Sequence, residues 1–264
     1  MTEKTRFIGK TVVVTGASRG QGAAEARALA SEGATVIIAD VTDAAGQALA
    51  EEIAAGGGHA SYQHLDVTSA SDWAKLRESL IAAGHGLDGL VNNAGISVPG
   101  RLSNVTLEAW NNSFAVNVTG AMLGIQTLSP IMNQGGSIVN VGSIASLIAH
   151  HNVAYSAAKW ALRGLSKTAA VELAHQGIRV NMIHPGYIKT PINADMPAAF
   201  LNTQLALTPA GRGGHVDEVA DLVLFLLSAD STFISGSEIP IDGGFTSHGG
   251  NKPIFDAIDA AAAN

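Results

Sequence analysis

Three observations predict a single α/β domain built on a parallel sheet. Short β-branched runs, such as Thr11–Val14 and Thr35–Ala39, read as strands buried on both faces. Helical patterns alternate with these runs along the chain, which calls for right-handed crossovers. A glycine-rich turn, Thr15-Gly16-Ala17-Ser18-Arg19-Gly20-Gln21-Gly22, joins the first strand to the first helix.

The elements follow in order. Thr11–Val14 is the first strand, and a helix runs from Ala23 to Ser31 until Gly33 ends it. Strand, glycine turn and helix form the context of a dinucleotide-binding fingerprint, in which backbone amides and a helix N-terminus cradle a pyrophosphate. The second strand ends in Asp40, 18 residues after Gly22, where a carboxylate meets adenosine ribose hydroxyls. That carboxylate repels a 2′-phosphate and argues for NAD over NADP. Arg19, a cation beside the turn, is a counter-signal.

Ala44–Ala55 is a second helix, closed by Gly56-Gly57-Gly58, and Tyr62–Leu65 a third strand. Asp66 after it either accepts from an adenine amino group or caps a helix starting near Ser69. Trp73, Leu76 and Leu80 recur at helical spacing and face the core. Leu87–Val91 is the fourth strand, and the small residues of Asn92-Asn93-Ala94-Gly95 let backbone approach a flat ligand.

A transition at Leu102–Ala109 leads into a long helix marked by Phe114, Val118, Met122 and Ile125. Asn117 within it either satisfies backbone groups or holds a water and a carbonyl in line with Lys159, and the pattern alone favours the first. Gly136–Val141 is strand five, with Ser143 just beyond its end, where open α/β sheets place ligands. The next helix runs to about Leu173, with Trp160, Leu165 and Val171 as packing residues. His150 and His151 precede it as exposed loop residues or as part of a pocket wall. Ile178–Ile183 is strand six, broken by His184-Pro185-Gly186. Residues 188–213, with weak helical character between prolines, have the makings of a mobile lid, and the apolar Ile192, Met196, Phe200, Leu201 and Leu205 suggest an apolar substrate. Val216–Leu227 is a helix and Gly236–Ile241 the last strand. The Ala-rich tail after Gly249 carries little signal.

Composition narrows the function classes. The 264 residues are 47% hydrophobic, enough for one large core. Fifteen Lys and Arg stand against 22 Asp and Glu, a net charge of −7 with no basic block, which speaks against nucleic acid. The chain has no cysteine, which excludes disulfide and thiolate chemistry. The spacing of His150, His151 and His175 gives no metal-ligand set. No apolar run reaches the roughly 18 residues of a membrane span and Met1–Lys10 has no signal-peptide run, so a soluble cytoplasmic protein is expected.

Tyr155 and Lys159, four residues apart, share one helix face. An ammonium beside a phenol favours the phenolate, and a phenol so tuned exchanges a proton with a substrate hydroxyl or carbonyl. Ser143 lies twelve residues upstream of the tyrosine.

Together these residues resemble the short-chain dehydrogenase/reductase family over Lys10–Phe245: Thr15-Gly16 with Gly20 and Gly22, Asn92-Asn93-Ala94-Gly95, Asn117, Ser143, Tyr155 with Lys159, and Pro185-Gly186. Within it the chain is similar to bacterial NAD-dependent secondary-alcohol and 3α(20β)-hydroxysteroid dehydrogenases, through Tyr62–Thr68, Leu87–Val91 and Lys159-Trp160. The resemblance implies a doubly wound, seven-stranded Rossmann domain over residues 1–264 that forms a homotetramer through helices at about 102–132 and 152–174. It implies NAD(H) as cofactor and a small apolar alcohol or ketone as substrate. Asn117, Ser143, Tyr155 and Lys159 become the catalytic set, with Tyr155 transferring the proton and Ser143 orienting the oxygen. Gly16, Ser18, Arg19, Gly20, Gln21 and Gly22 surround the pyrophosphate, while Asp40, Val41, Asp66 and Val67 meet the adenosine. Asn93, Ala94, Gly95 and Lys159 adjoin the nicotinamide ribose, and Pro185, Gly186, Ile188 and Thr190 its carboxamide. The serine-to-tyrosine spacing is one position shorter than in many members, which shortens the Ile144–Ala154 loop. The competing expectations are an NADPH-dependent β-ketoacyl carrier-protein reductase and a non-catalytic NAD-binding protein.

Overall fold

The computed structural model describes residues 5–84, 86–190 and 198–262. Seven parallel strands form one sheet in the order β3-β2-β1-β4-β5-β6-β7. In chain order the strands are β1 Thr11–Thr15, β2 Thr35–Asp40, β3 His59–His64, β4 Leu87–Asn92, β5 Met132–Val141, β6 Arg179–Pro185 and β7 Glu238–Ile241. The order reverses between β1 and β4, so the crevice at their C-terminal ends is the topological switch point where such sheets hold ligands.

Helices α1 Gly20–Ser31, α2 Asp43–Ala55 and α8 Val216–Leu227 cover one face, with Leu29, Leu49 and Leu224 reaching the central strands. Helices α3 Ala70–Ala82, α5 Gly120–Leu128 and α6 Val153–Glu172 cover the other, around Trp73, Leu76 and Leu128. Trp73 is fully buried, and its indole N–H donates to the Val67 carbonyl at 2.9 Å, so the ring fills the core with no unpaired donor. Among the described residues α7 Ala198–Ala206, α9 Lys252–Ala262 and the interrupted helix that begins at Leu107 complete the fold.

The structure moves several expected boundaries. Strand β3 starts at His59, because all six residues of β2 pair in register with it, from Thr35↔His59 to Asp40↔His64. It is a polar edge strand, so hydrophobic pattern does not reveal its first half. Strand β5 starts at Met132, ahead of a register shift against Leu87–Gly89. Strand β6 runs through Pro185 because pairing with β5 stops at Ile183, so the missing proline N–H costs no ladder bond there. Strand β7 starts two residues late, since Gly236 has φ +70° and turns the chain.

The long helix is interrupted: α4 Leu107–Phe114 passes into a π-turn at Ala115–Thr119 before α5. The whole helical run Leu107–Ile131 has the length and mean hydropathy, 1.2 in its most apolar stretch, of a membrane span, contrary to the expectation that none exists. Its neighbours α3 and α6 and its buried Asn117 fit a helix packed on a sheet. Trp160 and Val171 are not core residues as expected, since they are 47% and 78% exposed. Only Leu165 of the three packs inward. The tail forms α9, whose Ile254, Phe255 and Ile258 are exposed.

Candidate active site

Parallel pairing brings the ends of β1, β4, β5 and β6 to one edge. The glycine turn sits over β1. Gly16 and Gly20 have φ of +63° and +58°, in the left-handed region. A Cβ on Gly22 would lie 2.5 Å from the Gly16 carbonyl oxygen, so only glycine allows the turn to close against α1. The N-terminus of α1 carries no capping side chain and no acidic residue in its first turn. Its open amides and positive dipole end fit an anion. Among the described residues the buried hydroxyls of Ser18, which lies against the Asp40 carboxylate, and Thr190 make no hydrogen bond of good geometry. The Thr190 methyl faces Gly20 across the cleft, 3.9 Å from where a Cβ would stand. A narrow backbone cradle flanked by two buried hydroxyls suits a pyrophosphate and the nucleotide that carries it.

Thr15 and Asn93 weld the cradle to the end of β4. The Thr15 hydroxyl donates to Val91 O and accepts from the Asn93 and Ala94 amides at 3.1 and 3.0 Å. Asn93 Nδ2 donates to the Thr15 and Gly16 carbonyls. Thus the Asn93 amide nitrogen, expected beside a ribose, is turned back onto the glycine turn. Sequence reasoning did not single out Thr15 as a site residue, and its place at a strand end before glycine was the available signal.

Asp40 ends β2 with its carboxylate accepting from the Ser18 amide at 3.0 Å and the Thr42 amide at 2.9 Å. Burial pushes its pKa up, but these hydrogen bonds prevail and hold it below the usual carboxylate range. The site therefore carries a fixed negative charge beside the glycine turn. Arg19 is exposed at the same turn, and Val41 presents a 57% exposed side chain next to Asp40. Asp66 does not cap α3. Ser69 does, by accepting from the Asp72 amide, while Asp66 accepts from the amide and hydroxyl of Thr68. Val67 is buried, 2.8 Å from where a Cβ on Gly120 would stand.

Ser143, Tyr155 and Lys159 meet at the end of β5. Lys159 is 3% exposed, and its Nζ donates to the Val141 carbonyl at 2.7 Å. Burial lowers its pKa to about 8. The ammonium stands 5.8 Å from the centre of the Tyr155 ring. Burial raises the Tyr155 pKa, and a hydrogen bond with the Ser143 side chain pulls the other way. Burial is the larger influence on both groups, and the Lys159 ammonium donates to the Val141 carbonyl while standing over the Tyr155 ring. Asn117, in the π-turn, spends its amide on Ile96 and Ser113, donating to both carbonyls at 2.9 Å and accepting from the Ile96 amide at 3.2 Å. A Cβ on Gly95 would stand 2.8 Å from Asn117 Oδ1 and 3.4 Å from Lys159 Nζ, so Gly95 is the gap that lets these two side chains approach. π-turns recur at functional sites, and this one packs on α6, the helix that carries Lys159.

Ser146 and His184 were missed in the sequence. The Ser146 hydroxyl donates to the Ser143 carbonyl and accepts from His184 Nδ1 at 2.7 Å. His184 is fully buried, and burial lowers its pKa. It is held neutral behind Ser143, through Ser146. Its position at a strand end, two residues before a glycine, was the only hint. Pro185 closes β6, and a Cβ on Gly186 would meet Asp242 Cα at 2.8 Å. Ile188 is buried and bridges to Gly214.

The mouth of the site is formed by the loop before α6. His150 is half-buried rather than exposed, its ring edge-on to Tyr155 with centroids 5.6 Å apart. His151 is exposed and meets Phe200 of α7 at 5.5 Å. Of the segment 188–213 expected to act as a lid, α7 reaches this loop through Phe200, while Ile192 and Met196 lie outside the described residues. Among the described residues no group of three or more His, Asp or Glu side chains gathers as a metal site.

A family model described as enoyl-(acyl carrier protein) reductase matches residues 16–246. The chain is 40% identical over 260 residues to trans-4-hydroxycyclohexanecarboxylate dehydrogenase of Sinomonas cyclohexanicum, covering 96% of this chain and 98% of that one. It is 41% identical over 244 residues to 3-alpha-(or 20-beta)-hydroxysteroid dehydrogenase of Mycobacterium tuberculosis, covering 90% of each. A crystal structure of a short-chain type dehydrogenase/reductase from Mycobacterium marinum superimposes with a TM-score of 0.88 at 35% identity, covering 93% of this chain and 98% of that one.

Proposed function

Because this chain belongs to the short-chain dehydrogenase/reductase family, we propose that it interconverts a cyclic secondary alcohol and its ketone with NAD(H). The observation that carries this reading is the convergence of Ser143, Tyr155 and Lys159 beside a glycine cradle at one sheet edge. When bound there, the nicotinamide accepts or supplies the hydride. Tyr155 takes the alcohol proton in oxidation and returns it in reduction. Ser143 donates to the substrate oxygen and stabilises charge developing on it. Lys159, held by Val141 O, offsets the charge of the Tyr155 phenolate while it remains protonated. Asn117 fixes the Gly95–Ile96 segment over that lysine. The α1 N-terminus, Ser18 and Thr190 hold the cofactor phosphates and the group opposite.

The fixed Asp40 carboxylate supports NAD over NADP, since a 2′-phosphate brought against it is repelled. A carrier-protein reductase, as the family model's description suggests, would need a basic docking face, and the net charge of −7 favours the small-alcohol reading. We also infer a homotetramer, supported by the exposed Leu107, Trp160 and Val171 on α4 and α6. A screen of cyclohexanols and hydroxysteroids against NAD and NADP, read by nicotinamide absorbance, tests the function. Turnover with NAD supports it, and cofactor binding without turnover of any alcohol or ketone favours a non-catalytic role.

A further inference from the structure

We propose that His150 selects ring alcohols that carry a second oxygen substituent, by donating its Nε2–H to that oxygen. The inference rests on the alcohol–ketone reading of the site. Its first support is position. The His150 ring lies edge-on to Tyr155, with centroids 5.6 Å apart, so a substrate whose hydroxyl meets the phenol passes beside the imidazole. The second is the tautomer. The Asn152 amide donates to His150 Nδ1 at 3.2 Å, which places the ring hydrogen on Nε2. Among the described residues nothing takes up that hydrogen, and the partly buried His150 ring is not enclosed as the unpaired His184 Nε2 is.

The third support is rigidity. His150 packs against His151 with ring centroids 4.2 Å apart and planes tilted by 32°, and His151 in turn meets Phe200. Asn152 is itself tied to Ser97 at 3.0 Å. The imidazole is therefore braced from both sides before substrate arrives, which limits the entropy lost on binding. Burial and the neighbouring His151 lower the His150 pKa to about 4, so at neutral pH the ring is an uncharged donor and its selectivity does not depend on attracting an anion. The acceptor it fits is a hydroxyl, carbonyl or carboxylate oxygen on the substrate ring, away from the reacting carbon. Arg101, whose charge reaches His151, is the other group able to favour a carboxylate.

The full-length enzyme is assayed with NAD on cyclohexanol, trans-1,4-cyclohexanediol and trans-4-hydroxycyclohexanecarboxylate, as wild type, His150→Leu and His150→Gln. Wild type is expected to favour both oxygenated substrates by about tenfold in kcat/KM, the value of one neutral hydrogen bond. His150→Leu should abolish that ratio and His150→Gln, which keeps an N–H donor, should retain most of it. Ratios within one variant are insensitive to how much of the protein is folded. An unchanged ratio in an active His150→Leu enzyme overturns the inference. So does a preference for the carboxylate alone that survives in His150→Leu, which assigns selection to Arg101. Inactivity of wild type on every alcohol overturns the alcohol reading itself, and this inference with it.

Discussion

Lys159 stands 5.8 Å from the centre of the Tyr155 ring with its ammonium anchored on the Val141 carbonyl. The lysine is buried at the end of a strand, and the fold holds it there at a cost. Its pKa of about 8 means that the native state resists protonation more than the unfolded chain does. Between pH 8 and the unfolded lysine value near 10.4, the unfolded chain binds more protons, so stability rises with pH across that window. Below pH 8 the full penalty is present, about 3 kcal/mol. Lys159→Met should therefore raise stability at pH 7 by about 2 kcal/mol, after the lost Val141 hydrogen bond of about 1 kcal/mol is counted. Denaturant unfolding at pH 7 and pH 10 checks this. The variant should lose its activity while gaining stability, the trade-off expected when a site is built on a strained charge.

Glu25 predicts a second, independent stability effect. Its carboxyl is fully buried in α1 with neither oxygen partnered, and burial raises its pKa to about 8. Here the native acid stays protonated while the unfolded one ionises, so stability is full below about pH 4 and declines as pH rises to 8. Glu25→Met should stabilise the protein by about 3 kcal/mol at pH 7 and hardly at all at pH 4. Thermal melts at the two pH values separate this from a general packing gain.

Asp40→Ala should narrow the preference for NAD over NADP by tenfold or more, since it removes a fixed charge that a 2′-phosphate would have to face. The ratio of kcat/KM for the two cofactors is the measurement. If wild type already favours NADP, the carboxylate does not govern the choice, and Arg19 becomes the residue to test.

The parallel sheet, its order of helices and the serine–tyrosine–lysine set were legible in the chain because each rests on local pattern: β-branched runs, helical period, or fixed spacing. What escaped depends on contacts between distant segments. The Thr15–Asn93 link joins residues 78 positions apart. The His184–Ser146 contact spans 38. Polar β3 shows no period because it lies at an edge. Trp160 and Val171 look like core residues by composition, yet α6 turns them outward. His150 shows the same limit in reverse, since only the fold sets a loop histidine against the Tyr155 ring.

The most direct test of the central claim is turnover by Tyr155→Phe, which removes the phenolic proton and leaves the ring in place. With a cyclic alcohol that wild type oxidises with NAD, kcat should fall by 10²–10⁴ or more, roughly the contribution of general acid–base catalysis. NADH affinity, read by fluorescence titration, should stay within a few-fold. Near-normal turnover in this variant would contradict the assignment of Tyr155 as the proton-transferring group.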